Sequence, residues 1–152
     1  MIQSSGSEAG LEGVHFTGVH HVTIPVRELG RNVDWYEVCL DAERVDRFDH
    51  HDSDGAVFAV VLKLPVAGPM VELRIDPAAA AGAAGYRPVA FGVGDRAGLD
   101  RWVAHFDGHH IEHSEVTRRR IAHSVDVQAP DGLVLGFYTD PVGGFAGVEY
   151  VE

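Results

Sequence analysis

The sequence is short of cysteine and of positive charge, and both shortages limit what the protein can do. Cys39 is the only cysteine in 152 residues, so no disulfide can form within the chain and a reducing compartment is compatible. Twelve Lys and Arg stand against twenty-three Asp and Glu, which gives a net charge of −11. An acidic surface of this size repels nucleic-acid phosphates and anionic lipid headgroups. We therefore expect neither nucleic acid nor a membrane as a partner.

The sequence also lacks long apolar runs and the common catalytic motifs. No stretch approaches the length of a membrane span, and no basic segment followed by an apolar one opens the chain. A nucleophile elbow, a phosphate-binding loop, a CxxC pair and a dinucleotide glycine fingerprint are all missing. We predict a cytoplasmic protein.

The length of 152 residues suits one domain with a substantial core. Residues 1–13 are polar and rich in Gly and Ser, so we predict a flexible N-terminal tail there. The single domain is predicted over 14–140, and 141–152 form a C-terminal extension.

The chain contains an internal repeat at an offset of 67 residues. The segment that starts at Gly18 and the one that starts at Gly85 share alternating apolar residues, and both tryptophans fall at the same offset. The matched pairs are Val22 with Val89, Ile24 with Phe91, Val26 with Val93, and Trp35 with Trp102. Such self-similarity indicates a duplicated structural module.

Both copies follow the same order of predicted elements. An alternating strand is followed by an amphipathic helix, for which Asp95 is the predicted N-cap in the second copy. Three more strands then complete each copy, over 43–48, 56–64 and 70–76 in the first and over 111–117, 121–127 and 133–139 in the second. Residues 77–85 show no pattern and are predicted to be a connector. A βαβββ module leaves one sheet face uncovered, so two modules, 14–77 and 85–140, are expected to pair as cup-shaped mixed sheets in an α+β fold.

Two segments resemble a known family. The run His-Val-Thr-Ile-Pro-Val-Arg-Glu-Leu from His21, followed by Trp35 and Tyr36, is similar to the opening strand and helix of the vicinal-oxygen-chelate superfamily. The run from Pro130 to Tyr138 is similar to its closing hairpin. That superfamily includes glyoxalase I, bleomycin-resistance proteins and extradiol dioxygenases, and the resemblance implies the same paired-module fold.

The resemblance also implies a metal site, of which this chain carries half. In the family a divalent ion such as Zn²⁺, Ni²⁺, Mn²⁺ or Fe²⁺ is held by one residue from the first and one from the last strand of each module. His21 and Glu72 match these positions in the first module, and Glu72 would be a ligand or a general base. In the second module Pro88 and Gly136 replace the ligands, and neither has a donor atom in its side chain.

Strand alternation predicts the other residues of the cup. Arg74 shares the side of Glu72, whereas Ala90, Val134 and Tyr138 share the side of Gly136. We therefore predict a polar wall opposite an apolar wall, which suits an amphipathic organic ligand. His20 is expected to face the helices. The run Arg118–Arg120 is read either as a solvated turn or as a clamp at the rim for an anionic ligand.

Two function classes remain open at this point. The missing second-module ligands favour a protein that binds a small organic molecule, a drug or a metabolite, without a full metal site, as in the bleomycin-resistance branch. The alternative is a metal-dependent lyase, isomerase or dioxygenase with an altered ligand set built on His21 and Glu72. A metal-free enzyme that uses either residue as a base is a third reading. Because the sheets leave exposed edges, we also expect a homodimer.

Overall fold

The computed structural model describes residues 12–66, 68–145 and 148. Most of the predicted N-terminal tail and half of the predicted C-terminal extension therefore lie outside the described residues. Within the described ranges, no helix has the length and the apolar character needed to cross a membrane.

The elements form two consecutive modules. The first module contains β1 (His21–Val26), α1 (Gly30–Leu40), β2 (Glu43–Arg44), a 3-10 helix (Asp46–Phe48), β3 (His50–His51), β4 (Val57–Lys63) and β5 (Met70–Ile75). A connecting helix, α2 (Pro77–Ala83), follows. The second module contains β6 (Val89–Gly92), α3 (Arg96–Gly108), β7 (Thr117–Arg118), β8 (His123–Gln128) and β9 (Val134–Tyr138).

Each module builds one mixed sheet of the same topology. The first sheet has the order β1-β5-β4-β2, with β3 paired to β4, and the second has the order β6-β9-β8-β7. The opening and closing strands of each module are parallel, while the remaining pairs are antiparallel. This arrangement confirms the predicted α+β fold of two βαβββ modules.

Strand register confirms the internal repeat and shows which closing-strand residues are equivalent. Thr23 pairs with Glu72 between β1 and β5, and Ala90 pairs with Gly136 between β6 and β9. Thr23 and Ala90 are separated by the repeat offset of 67, so Glu72 and Gly136 occupy equivalent places in the two sheets. The glycine thus stands where the first module has a carboxylate.

One apolar core joins the helices to the inner faces of both sheets. Ile24 and Leu73 of the first sheet are fully buried, as are Leu135 and Leu99 of the second module. Phe137 packs against Trp102 on α3, with 5.4 Å between the ring centroids. Burial of each such side chain contributes about 1.5–3 kcal/mol, so the inner faces hold the fold together.

The helix α3 begins as the sequence predicts. The Asp95 carboxylate accepts a hydrogen bond from the Gly98 amide at 2.9 Å, which satisfies one of the unpaired donors of the first turn. Gly98 itself is required by packing, because a Cβ there would overlap the carbonyl oxygen of Val93. A larger side chain would push the helix away from the loop that precedes it.

Three segments differ from the sequence prediction. The expected connector contains the helix α2, because Asp76 caps it through the Ala79 amide at 3.0 Å and an alanine run follows Pro77. The strand expected over 43–48 ends at Arg44, where the 3-10 helix begins. Of the strand expected over 111–117, only Thr117 lies in β7. Both strands lie at sheet edges, where a strand has hydrogen-bonding partners on one side only.

Candidate functional site

Each sheet has an outer face, turned away from the helices, on which the predicted site residues lie. The first outer face is formed by His21, Thr23, Val61, Glu72 and Arg74, which alternate with buried core residues along β1, β4 and β5. Parallel pairing of β1 with β5 brings the two predicted ligands together in space. The alternation pattern therefore placed these side chains on the correct side of the sheet.

The Glu72 carboxylate is the centre of the first outer face. It is only 7% exposed, and both of its oxygens are engaged. Oε1 accepts a hydrogen bond from the Thr23 hydroxyl at 3.1 Å, and Oε2 accepts one from Arg74 Nη1 at 3.3 Å. His21 Nε2 lies 3.6 Å from Oε1. These contacts compensate the burial of the negative charge.

His20 belongs to this site, contrary to the prediction that it faces the helices. Its Nδ1 lies 2.9 Å from Nδ1 of His21, so one ring donates and the other accepts. The prediction failed because β1 begins only at His21, and strand alternation does not extend to the residue before it. His21 therefore contacts Glu72 through one ring nitrogen and His20 through the other.

A cavity of about 460 Å³ opens beside these groups. Its walls combine the polar residues already described with apolar and aromatic side chains. The lining residues are His20, His21, Phe48, His50, Val61, Met70 and Glu72. The volume matches that of a pocket for a small organic molecule.

The second outer face carries Arg87, which the sequence reasoning missed. A Cβ placed on Gly136 would lie 2.7 Å from Arg87 Cδ and 2.9 Å from Tyr138 Cε1. The arginine side chain therefore lies across the glycine and uses the space that a side chain would need. Strand alternation could not have placed Arg87, because it precedes β6 and is separated from it by Pro88.

Arg87 is part of a cluster of charges on this face. Its Nη1 contacts both carboxylate oxygens of Asp126, at 3.2 and 3.1 Å, and its guanidinium carbon lies 5.2 Å from the centre of the Tyr138 ring. Arg119 Nη2 lies 3.6 Å from the same carboxylate, and its Nε donates to the Ser124 hydroxyl at 2.8 Å. The second outer face is formed by Ala90, Ser124, Asp126, Gly136 and Tyr138, with the two arginines above it.

This cluster corrects the predicted apolar wall. Ala90 pairs with Gly136 as expected, and Tyr138 and Val134 are partly buried along β9. Pro88 is exposed beside them. The alternation was correct for these residues, but two guanidinium groups and a carboxylate also lie on this side. The second face is therefore charged rather than apolar.

The residues present do not fit the four-ligand metal site of the vicinal-oxygen-chelate superfamily, which the sequence resembles. Pro88 and Gly136 supply no donor atom, and the Arg87 side chain fills the space beside Gly136 and brings a guanidinium to this face, which repels a cation. Over residues 12–66, 68–145 and 148, no group of three or more His, Cys, Asp or Glu side chains is placed to hold one ion. His21 and Glu72 remain as two donors, and Glu72 is already paired with Arg74.

The arginine run and His113 are two further candidate groups that lie outside the first outer face. The run Arg118–Arg120 borders a second cavity of about 640 Å³ together with Arg96 and His123. His113 is bound to Asp107 at 2.7 Å, far from the first outer face in sequence and on another module. The hydrogen bond to the Ser114 backbone, with a further one to Asp107, raises the pKa of His113 above its usual value.

The single cysteine is not a candidate nucleophile. Cys39 lies on the buried face of α1 and is fully buried. Burial raises the pKa of its thiol to about 12, so the reactive thiolate is scarce at neutral pH.

Residues 18–143 match the family described as the Glyoxalase/Bleomycin resistance protein/Dioxygenase superfamily. This match covers most of the chain, and the protein therefore belongs to that superfamily. No curated protein matches the sequence.

Several solved structures share the fold at low sequence identity. The antibiotic-binding protein TnmS3 from Streptomyces sp. CB03234 is 16% identical, with a TM-score of 0.67 over 84% of this chain and 98% of that one. The fosfomycin resistance protein FosX from Listeria monocytogenes is 13% identical, with a TM-score of 0.64 over 85% and 98%. Lactoylglutathione lyase from Agrobacterium tumefaciens is 19% identical, with a TM-score of 0.62 over 85% and 98%. At these identities the likeness concerns the fold alone.

Proposed function

We propose that the protein binds a small organic molecule, a drug or a metabolite, on its outer faces and that binding requires no metal ion. The observation that carries the proposal is the second outer face, where Gly136 and Arg87 together replace a metal ligand by a fixed cation. The cavity of about 460 Å³ beside His21 and Glu72 offers the space for such a ligand. TnmS3, whose fold is similar, is an antibiotic-binding protein, which agrees with this class of function.

Binding to protein freed of metals tests the proposal. Small organic molecules would be screened by ligand-observed NMR against protein treated with EDTA. Val61→Trp places an indole in the cavity, whereas Val66→Trp makes the same substitution at a position that is 63% exposed. We expect hits that bind the chelated protein and the Val66 variant but not the Val61 variant. Binding that appears only after Mn²⁺ or Zn²⁺ is added would contradict the proposal.

The second candidate is a metal-dependent lyase, isomerase or dioxygenase built on His21 and Glu72. The distance of 3.6 Å between His21 Nε2 and Glu72 Oε1 favours it, because two donors of the types used for divalent ions meet there. A FosX variant from Listeria monocytogenes, 15% identical with a TM-score of 0.59, was crystallised with Mn(II). Two protein ligands alone hold a metal weakly, which places this candidate second.

We also propose that the protein forms a homodimer in which the outer faces are covered. His21, Arg74 and Ala90 are exposed on these faces, and the edge strands carry unpaired backbone groups. A second copy would cover these groups and enclose the cavity. Sedimentation equilibrium that gives twice the monomer mass would support the dimer, and a monomer at every accessible concentration would refute it.

A further inference from the structure

The two equivalent places in the repeat carry opposite charges. Glu72 brings a carboxylate to the first outer face, while the place of Gly136 in the second sheet is covered by the Arg87 side chain. The first outer face therefore has a carboxylate at this place, whereas the second has an arginine that crosses it and carries its guanidinium to the neighbouring Asp126. Because the sign of a buried or half-buried charge selects the ligand, the second outer face is suited to an anion.

We propose that the Arg87 guanidinium, supported by Arg119 and Tyr138, is the group that recognises the ligand, and that the ligand is an organic anion with a carboxylate, phosphonate or phosphate group. This inference rests on the proposed binding on the outer faces, concerns the second outer face rather than the cavity of the first module, and adds the chemical class of the ligand bound there. Guanidinium groups bind planar or tetrahedral oxyanions through paired N–H donors. A guanidinium can therefore hold an oxyanion that, in a metal site, would be bound by coordination to the ion.

The charge balance of the cluster supports an anion. Arg87 and Arg119 share one carboxylate, Asp126, so the cluster has one positive charge in excess. In a protein with a net charge of −11, this excess is a local exception. The arginine side chains are 35% and 39% exposed and the carboxylate is 28% exposed, so a ligand from solvent can reach both guanidinium groups.

The guanidinium of Arg87 is also held in place. Only its Nη1 is used in the two contacts with Asp126, and a guanidinium has five N–H donors. The Tyr138 ring lies under it at 5.2 Å, and the missing side chain of Gly136 leaves room for its aliphatic part. A cation that is fixed before the ligand arrives costs less entropy on binding.

The test compares one aromatic scaffold with and without charge. Phenylphosphonate, phenylacetate and neutral phenylacetamide would be titrated into the full chain after EDTA treatment, and the amide signals of Ala90, Gly136 and Tyr138 would be followed by ¹H–¹⁵N NMR. We expect saturable shifts for both anions with millimolar dissociation constants, as fragments of this size give. Phenylacetamide should bind at least about tenfold more weakly, since it lacks the charge-assisted hydrogen bonds.

Matched variants separate the site from general charge effects. Arg87→Met should weaken binding of both anions by about tenfold or more, and Arg87→Lys should restore part of it. Arg101→Met removes the same charge at an exposed position of α3 and should change binding less than about twofold. Circular dichroism would confirm that the variants are folded.

The outcomes distinguish this inference from the binding function itself. Equal binding of phenylacetate and phenylacetamide, or equal losses in the Arg87 and Arg101 variants, would overturn the anion inference while leaving the cavity as a binding site. Absence of a saturable shift with either anion would also overturn it. Loss of the cavity ligands in Val61→Trp, with phenylphosphonate binding at Arg87 retained, would support both.

Discussion

The two modules are alike on their inner faces and different on their outer faces. Ile24 and Leu73 pack under α1 in the first module, and Phe91 and Phe137 pack beside α3 in the second. On the outer faces, one sheet carries a buried carboxylate with two histidines beside it, and the other carries a glycine covered by Arg87. Packing in the core therefore constrains the residues of the inner faces, whereas the residues of the outer faces can differ in charge and polarity between the two modules.

The largest expected effect concerns the inner faces. Leu73→Ala and Phe137→Ala each remove a fully buried side chain at equivalent places in the repeat. We expect losses of about 2–5 kcal/mol and about 3–5 kcal/mol in the free energy of unfolding. Urea denaturation measures both. Losses below about 1 kcal/mol in either variant would show that the inner faces do not support the fold equally.

The second prediction removes the buried carboxylate of the first outer face. Glu72→Gln should lower the free energy of unfolding by about 1–3 kcal/mol, because the contacts with Thr23 and Arg74 lose their charge. Glu43→Gln is the matched control, since Glu43 is an exposed carboxylate in the same module. Thermal denaturation of both variants at neutral pH would measure the difference. Equal shifts would indicate that the Glu72 network adds no stability.

The third prediction tests the close contact on the second outer face. Gly136→Ala should destabilise the protein by about 1 kcal/mol and displace the Arg87 side chain, because the added Cβ would lie 2.7 Å from Arg87 Cδ. Gly82→Ala in α2 has no atom within 4 Å of its Cβ and should stabilise by about 0.5–1 kcal/mol. Unfolding of the two variants under identical conditions gives opposite signs if the packing is as described.

The smallest effect is a pH dependence in the second module. The pKa of His113 is raised in the folded protein, so the protonated ring stabilises the fold below its usual pKa of about 6.5. That contribution is lost as pH rises through the higher folded pKa. His113→Gln should therefore cost more stability at pH 5.5 than at pH 8.5, as measured by urea denaturation. A cost that does not depend on pH would contradict the hydrogen bonds of the His113 ring with the Ser114 backbone and Asp107.

Most of the fold could be predicted because it depends on local patterns. Alternation of apolar residues placed the strands, and the resemblance of the closing run to the family hairpin matched Gly136 to the place of Glu72. The Asp95 cap could be predicted because Asp95 directly precedes an amphipathic helix. The helix α2 was missed, because an alanine run without a polar face has helix propensity but no periodic pattern.

The candidate site could be predicted only in part, for a physical reason. Strand parity fixes the side of a residue within a strand, so His21, Glu72 and Tyr138 were placed correctly. Arg87 and His20 lie just before β6 and β1, outside the strands, so strand alternation does not determine the side to which they point. Long side chains at such positions can turn toward either face, and only three-dimensional contacts decide which.

The central claim is that a fixed guanidinium replaces the second half of a metal site. Calorimetric titration with Zn²⁺, Ni²⁺, Mn²⁺ and Fe²⁺, on the wild type and on the double variant His21→Ala with Glu72→Gln, tests it most directly. We expect weak binding that is similar in both proteins, because two protein ligands alone hold a metal poorly. Submicromolar binding in the wild type that is lost in the double variant would contradict the claim and favour a metal-dependent enzyme.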